Sequence, residues 1–178
     1  GAVTFPARFI LVGAMNPCPC GNLGSKKEAC QCSMGHILRY KKRLSGPIMD
    51  RIDLHIKVPP VLKTDLMGQN LCESSELICV RVSAARNLQR ARFKGANIIC
   101  NSELNSKHIR YYCTMESEAE NLLKEALSQF ALTARSYFKV IKISQTIADL
   151  RHGQHPKTEH KIKLADVSEA LQYRIKDD

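Results

Sequence analysis

Phe9-Ile-Leu-Val-Gly-Ala-Met-Asn16-Pro-Cys-Pro-Cys-Gly21 is the stretch that decides the fold reading. From Arg8 to Ala14 apolar residues follow one another without alternation, the pattern of a central parallel strand buried on both faces. Asn16 then stands at the carboxyl end of that strand. Ligands of open α/β sheets bind outside strand carboxyl ends, so an amide there can hold a phosphate or a water; a turn-forming Asn before Pro is the plainer alternative. Further on, Ser45-Gly-Pro-Ile-Met-Asp-Arg51 leads into a second pattern. Ile52, Leu54, Ile56 and Val58 alternate with Asp53, His55 and Lys57, which predicts a half-exposed strand with Arg51 at its entrance. An arginine at such a boundary, beside Gly46-Pro47, is placed to reach out of its own domain.

The runs TFPARFILVGAMNPCPCG (4–21), RYKKRLSGPIMDRIDLHIKVP (39–59) and LTARSYFKVIKISQTIADL (132–150), with ALQYR at 170–174, resemble the AAA+ ATPases of the magnesium-chelatase type. Within that family they are similar to the bacterial ComM/YifB competence-helicase branch, over nearly the whole chain. The resemblance implies that Asn16 is sensor 1, positioning the attacking water near the γ-phosphate. It implies that Arg51 is the arginine finger, offered to the ATP of the next subunit, and that Arg135 is sensor 2. Val3 to Pro6 would be the returning strand of the pre-sensor hairpin, which points into the central pore of related hexameric helicases. ATP and Mg2+ would be the cofactors of the full-length parent, and the working form a homo-hexamer.

The fold class that follows is α/β plus all-α: the C-terminal part of a AAA+ P-loop core, then a helical lid bundle. Its expected divisions are residues 1–60 for the core part, with a cysteine-rich loop at 18–32, a linker at 61–71 and the lid at 72–178. No G-x-x-x-x-G-K-[ST] occurs in the sequence, so there is no backbone cradle for the β- and γ-phosphates and no Ser/Thr for the magnesium. The expectation is a C-terminal piece of a longer protein that does not hydrolyse ATP alone.

Cys18-Pro-Cys20-Gly and Cys30-Gln-Cys32 form two close pairs, able to deliver four thiolates to a tetrahedral zinc. The C-x-C spacing is tighter than that of common zinc motifs, so four reduced thiols in an insertion remain the alternative, with His36 as a substitute ligand. A zinc with four protein ligands would be structural, because no position stays open for substrate. Cys72, Cys79, Cys100 and Cys113 read as ordinary small buried residues. Eight cysteines without a secretion signal point to reduced thiols and a cytoplasmic protein rather than a disulfide scaffold.

The net charge of +10 is densest early: residues 1–60 carry nine Lys/Arg against three Asp/Glu. Arg39, Lys41, Lys42 and Arg43 form a local cluster. On a short helix Ile37, Tyr40, Lys41 and Leu44 would share one face, leaving Arg39, Lys42 and Arg43 to solvent. Such a cluster can bind the phosphate backbone of DNA, or serve as a solvated face or a contact to an acidic neighbour. Aromatic residues make up 6% of the chain and do not interleave with the basic ones, so base stacking is not indicated.

The later half is helical in pattern. Helices are expected at 73–93, capped by Ser74-Ser75 with Ile78, Val82, Ala85 and Leu88 inward, at 103–113, at 116–130 and at 164–174. The helix at 134–150 begins after the capping Thr133, with Tyr137, Val140, Ile141, Ser144, Ile147 and Ala148 inward and Arg135, Lys139 and Lys142 along another face. Residues 151–163 read as a polar loop. Arg135 in a first helical turn gains nothing from the helix dipole, a mild conflict that a phosphate partner would explain. No apolar stretch approaches the ~20 residues that span a bilayer, so no membrane partner is expected.

Three functions stay open at this point: a DNA branch-migration motor, the ATPase partner of a tetrapyrrole metal-chelatase complex, or a protein-remodelling ATPase. The NPCPCG run and the 134–150 helix favour the first.

Overall fold

A computed structural model of the chain describes residues 1–5, 9–25, 27–43, 46–59, 73–130, 132–154 and 161–174. It separates into two units, Gly1–Met49 and Asp50–Asp178. The linker expected at 61–71 and Cys72 lie outside the described residues, as do Leu44 and most of the histidine-containing loop after residue 154.

In the first unit, Ser33 holds extended backbone and its hydroxyl accepts from the His36 N–H at 3.4 Å, satisfying one of the orphan donors that open a helix. Helix α1 (Met34–Lys42) follows, with Ile37 buried, and then the single turn α2 (Gly46–Met49). The strand expected over residues 8–14 is not found: no strand occurs among the described residues, and Phe9 to Val12 are 71–92% exposed. The reason is pairing. A central strand exists only through ladders to neighbours on both sides, and the described residues offer none. The alternating segment 52–58 likewise pairs in no sheet among the described residues; its bonds to the bundle include the His55 N–H donating to the Tyr173 carbonyl at 2.9 Å and the Asp53–Lys139 ion pair at 3.1 Å.

The second unit is a helical bundle. Helix α3 (Ser75–Arg92) is capped by Ser74. After it come a 3-10 turn (Asn101–Glu103), α4 (Ser106–Tyr112), α5 (Ser117–Gln129), α6 (Ala134–Gln154) and α7 (Leu164–Gln172). Asn105 and His108 form a reciprocal cap at the start of α4, and the Ser136 N–H donates to Thr133 Oγ1 at 3.1 Å to open α6. Helix α6 is the axis: α3, the 3-10 turn, α4 and α7 all pack on it, while α5 packs on α7. Its buried Val140, Ile141 and Ala148 meet Phe93, Leu104, Ile109, Leu123, Ile162 and Val167. Each Val, Leu, Ile or Phe among them stabilises the bundle by about 1.5–3 kcal/mol when fully buried. A short parallel bridge between Met115 and Ile162 ties the chain before α5 to the chain before α7.

The polar core decides the register. Asp149 on α6 is fully buried and accepts both terminal nitrogens of Arg92 from the end of α3, one of them at 3.0 Å. Asn101 Nδ2 at 2.8 Å and Gln145 Nε2 at 3.1 Å also donate to it. Two residues further along α6, Arg151 donates to both oxygens of Asp166 on α7 at 3.1 and 2.8 Å.

That pair explains why residues 151–154 are helical rather than loop. Gly153 adds a second reason: a Cβ there would sit 3.1 Å from Ala84 Cβ and 3.3 Å from the Ala85 nitrogen, so glycine lets α6 approach α3. On α3 the expected inward stripe holds only for Ala85 and Leu88, whereas Ile78 and Val82 are exposed because no described element covers the amino-terminal half of that helix. Cys113 is buried as expected, but Cys79 is exposed and Cys100 half-buried. No described helix is long and apolar enough to cross a membrane.

Removing one partner of a buried, hydrogen-bonded pair leaves an uncompensated charge, which costs about 3–5 kcal/mol. Asp149→Ala is therefore expected to lower the unfolding free energy of the bundle, read from denaturant melts, by that amount, against less than about 1 kcal/mol for the exposed pair variant Glu120→Ala. Equal losses for the two variants would show that Asp149 does not hold the register.

Candidate functional site

In the second unit Arg51, Arg135, Lys139 and Lys142 line one groove of about 770 Å³. Three of these cations come from α6 at i, i+4 and i+7, so a single helix face carries them. The floor is apolar, made by Leu104, Ile109, Phe138, Ile143, Ile147 and Leu150; Asp53 and Glu169 are the carboxylates on its wall. Lys142 Nζ donates to the Ser102 carbonyl at 2.8 Å, and burial lowers its affinity for a proton. A cationic rim above an apolar floor can take a ligand with a charged phosphate end and a flat apolar end.

Asp50, immediately before Arg51, ties this segment to the bundle. Its carboxylate accepts from Ser136 Oγ at 2.9 Å, Arg135 Nη1 at 3.1 Å and Arg174 Nη2 at 3.3 Å, and its carbonyl accepts from Lys139 Nζ at 2.9 Å. Lys139 also pairs with Asp53 at 3.1 Å. The Ser136 hydrogen bond, aided by Arg135 and Arg174 and opposed by partial burial, holds the Asp50 carboxyl below its ordinary pKa. Sequence reasoning passed over Asp50; its one signal is the Asp50-Arg51 adjacency, which shows no partner until α6 and the end of α7 converge on it.

In the first unit, Cys18, Cys20, Cys30 and Cys32 bring their four Sγ atoms within 4.8 Å of one another. The measured edges are 3.4 Å for Cys18–Cys20, 3.7 Å for Cys18–Cys30 and 3.6 Å for Cys20–Cys30. The turn that achieves this is closed by the Gly21 N–H donating to the Cys18 carbonyl at 3.0 Å, with Gly21 at φ +83°, a conformation that glycine adopts without strain. Asn16 lies against the same turn, its Nδ2 3.7 Å from where a Gly21 Cβ would be. The backbone amides of Asn22 and Gln31 pull the Cys20 thiol down to about 6. Cys30 goes the other way, to about 12: the Cys32 amide opposes the rise, but burial and the adjacent thiols outweigh it. His36 is not part of this cluster.

His36 instead lines a second groove, of about 400 Å³, with Pro19, Arg39, Tyr40 and Arg43. Arg39 and Arg43 thus share the face of His36 and Tyr40 rather than standing apart from Tyr40, since 36, 39, 40 and 43 are i, i+3, i+4 and i+7 of one helix. Lys41 and Lys42 are exposed and lie outside it. Of the residues singled out by the sequence, then, Arg51 and Arg135 meet in one groove, the four cysteines meet in one cluster, and Arg39 and Arg43 meet in another groove. Asn16 belongs to the unit of the cysteines, not to that of Arg51 and Arg135.

Two family models match the chain: magnesium chelatase, subunit ChlI C-terminal, over residues 72–174, and magnesium chelatase, subunit ChlI, over residues 1–66. The uncharacterized protein YifB of Escherichia coli (strain K12) is 37% identical over 98% of the chain, and competence protein ComM of Haemophilus influenzae is 38% identical over 97%. YifB of Salmonella typhimurium is 32% identical over 98%. The chain spans 32% of the length of each of these relatives.

A carboxyl whose folded pKa is depressed stabilises the fold above its unfolded value, about 3.9, and loses that contribution as pH falls through the folded value. Asp50→Asn is accordingly expected to melt lower than the wild type near neutral pH, with the gap closing as the solution is acidified below about pH 4. Thermal melts across a pH series check this. A gap that widens on acidification would contradict the ion-pair reading of Asp50.

Proposed function

Because the chain belongs to the magnesium chelatase subunit ChlI family, with YifB and ComM among its relatives, we propose that it is the C-terminal portion of a AAA+ ATPase that drives movement on DNA as a homo-hexamer. In this reading residues 1–60 close an α/β core, residues 72–178 form the lid, and the cytoplasm is the working compartment. Asn16 orients the attacking water, while Arg51 and Arg135 address the phosphates.

The observation that carries the proposal is the shared groove of Arg51 and Arg135. Two guanidiniums on one rim serve one triphosphate. If Arg51 is offered to the nucleotide of the next subunit, Arg135 is offered with it, and Asp50 holds the finger segment to the first turn of α6. A guanidinium there spreads the charge that develops on the γ-phosphate oxygens as the bond to the leaving group breaks. Loss of that phosphate would then be felt through Asp50 at α6 and at Arg174, the route by which hydrolysis reaches the lid.

The groove does not fit Mg2+. Its rim is cationic, and Asp53 is already paired with Lys139. The phosphate-binding loop motif that supplies magnesium ligands in such ATPases does not occur in the sequence. The competence name of ComM and the basic groove on α1 favour DNA over a tetrapyrrole complex or a protein substrate.

In the full-length parent, Arg51→Ala and Arg135→Ala should each leave ATP binding nearly intact and cut turnover, by about 10³–10⁵ for the finger. Turnover should rise with single-stranded or branched DNA and the rise should fade with salt. Retained turnover in Arg51→Ala would remove the finger assignment. A rate indifferent to every DNA would favour the chelatase or remodelling alternative.

A further inference from the structure

The cysteine cluster and the groove on α1 share a residue. Pro19 lies between Cys18 and Cys20, and it forms one wall of the groove whose other wall is His36, Arg39, Tyr40 and Arg43. We propose that the four thiolates bind Zn2+ and that this ion, by fixing Pro19 against α1, assembles a binding groove for the phosphate backbone of single-stranded nucleic acid.

The metal half of the inference rests on distance and donor type. Zinc–sulfur bonds of about 2.3 Å at tetrahedral angles place sulfurs about 3.8 Å apart. The observed edges of 3.4, 3.6 and 3.7 Å are close to that and far beyond a disulfide bond, whose length is about 2.05 Å. Four soft donors with no oxygen or nitrogen among them select zinc over magnesium or calcium. Cys18 is fully buried, while Cys20 is exposed and Cys30 and Cys32 are half-buried, so an ion can enter from one side. With all four positions taken by protein, the site is structural.

The ligand half rests on charge and shape. Among the described residues no carboxylate lines the groove, in contrast to the groove of the second unit. Arg39 and Arg43 stand one helical turn apart, about 6 Å along the axis, so their planar forks can each take one of two successive phosphates rather than crowd a single one. The half-buried Tyr40 lies between them, so here an aromatic ring does interleave with basic residues, contrary to the expectation from composition, and one base can stack on it. The groove is therefore suited to a strand, and it is coupled to the metal because Pro19 is flanked on both sides by cysteines of the cluster.

The choice of ligand rests on the DNA reading above, but the test uses this chain without ATP, so the two can fail separately. Plasma emission spectroscopy of the chain purified without chelator should find one zinc per molecule, and cobalt exchange should produce the visible bands of a tetrahedral tetrathiolate site. A fluorescently labelled single-stranded oligonucleotide, followed by anisotropy across a salt series, should bind the zinc form. Arg39→Ala/Arg43→Ala should keep its zinc and its helical circular dichroism, weaken binding by about tenfold or more, and lower the slope of log K against log salt by about 1.4. Lys41→Ala/Lys42→Ala should cost less. Stripping zinc should weaken binding as much as the arginine variant does, with recovery when zinc returns. Substoichiometric zinc would overturn the metal site, as would unchanged oligonucleotide binding after stripping or in the arginine variant for the groove. If the full-length ATPase were still stimulated by DNA in that last case, only the groove would fall and the motor reading would stand.

Discussion

A carboxylate with no exposure to water sits at the centre of the larger unit, and the arrangement around it follows from the need to satisfy it. Asp149 would be costly to bury alone, by several kcal/mol for an unpaired ion. It is met by the forked guanidinium of Arg92 and by the amides of Asn101 and Gln145. Those partners come from the end of α3, from the 3-10 turn and from α6 itself, so one set of directional bonds fixes three elements against each other. Apolar contacts along α6 are numerous but tolerant of sliding, since methyl groups have no preferred partner. The ion pair is not tolerant, and it selects one register.

With α6 held in this way, its other faces become usable. One end of the helix is tied to α7 through Arg151 and Asp166. The opposite end presents Arg135, Ser136 and Lys139 to Asp50, which anchors the segment that carries Arg51. The groove exists because two distant stretches of chain, near residue 51 and near residue 135, are each fastened to the same helix face. Its cations crowd together at an electrostatic cost that Asp50 and Asp53 partly relieve, and an incoming phosphate would relieve further.

The smaller unit reaches a comparable result with sulfur in place of an apolar core. It buries few hydrophobic side chains, Cys18 and Ile37 among them, too few to organise a loop by packing alone. Four convergent thiols bring the 18–20 turn and the 30–32 segment together. The Asn16 amide lies against that turn, so whatever steadies the cysteines also steadies Asn16.

Much of the helical bundle was legible in the residues themselves, because caps and periodicity are local. Ser74 and Thr133 marked the starts of α3 and α6, and the stripe Val140, Ile141, Ser144 and Ala148 marked a buried face. The two C-x-C pairs announced a thiol cluster in the same way. The expected strands are not found among the described residues because an apolar run states only that a segment avoids water; it becomes a strand when neighbouring strands supply hydrogen bonds, and Phe9 to Val12 have none among the described residues. The carboxyl end of α6 was taken for loop because the partners that keep it helical, Asp166 and the close-lying Ala84, are distant in sequence. Where the helices begin, which residues are basic and which are thiols was thus determined by the sequence alone, through short-range chemistry. That Arg51 meets Arg135, that Arg92 meets Asp149 and that Pro19 meets Arg39 was decided only by tertiary structure, since a side chain's partner depends on where the backbone returns in space.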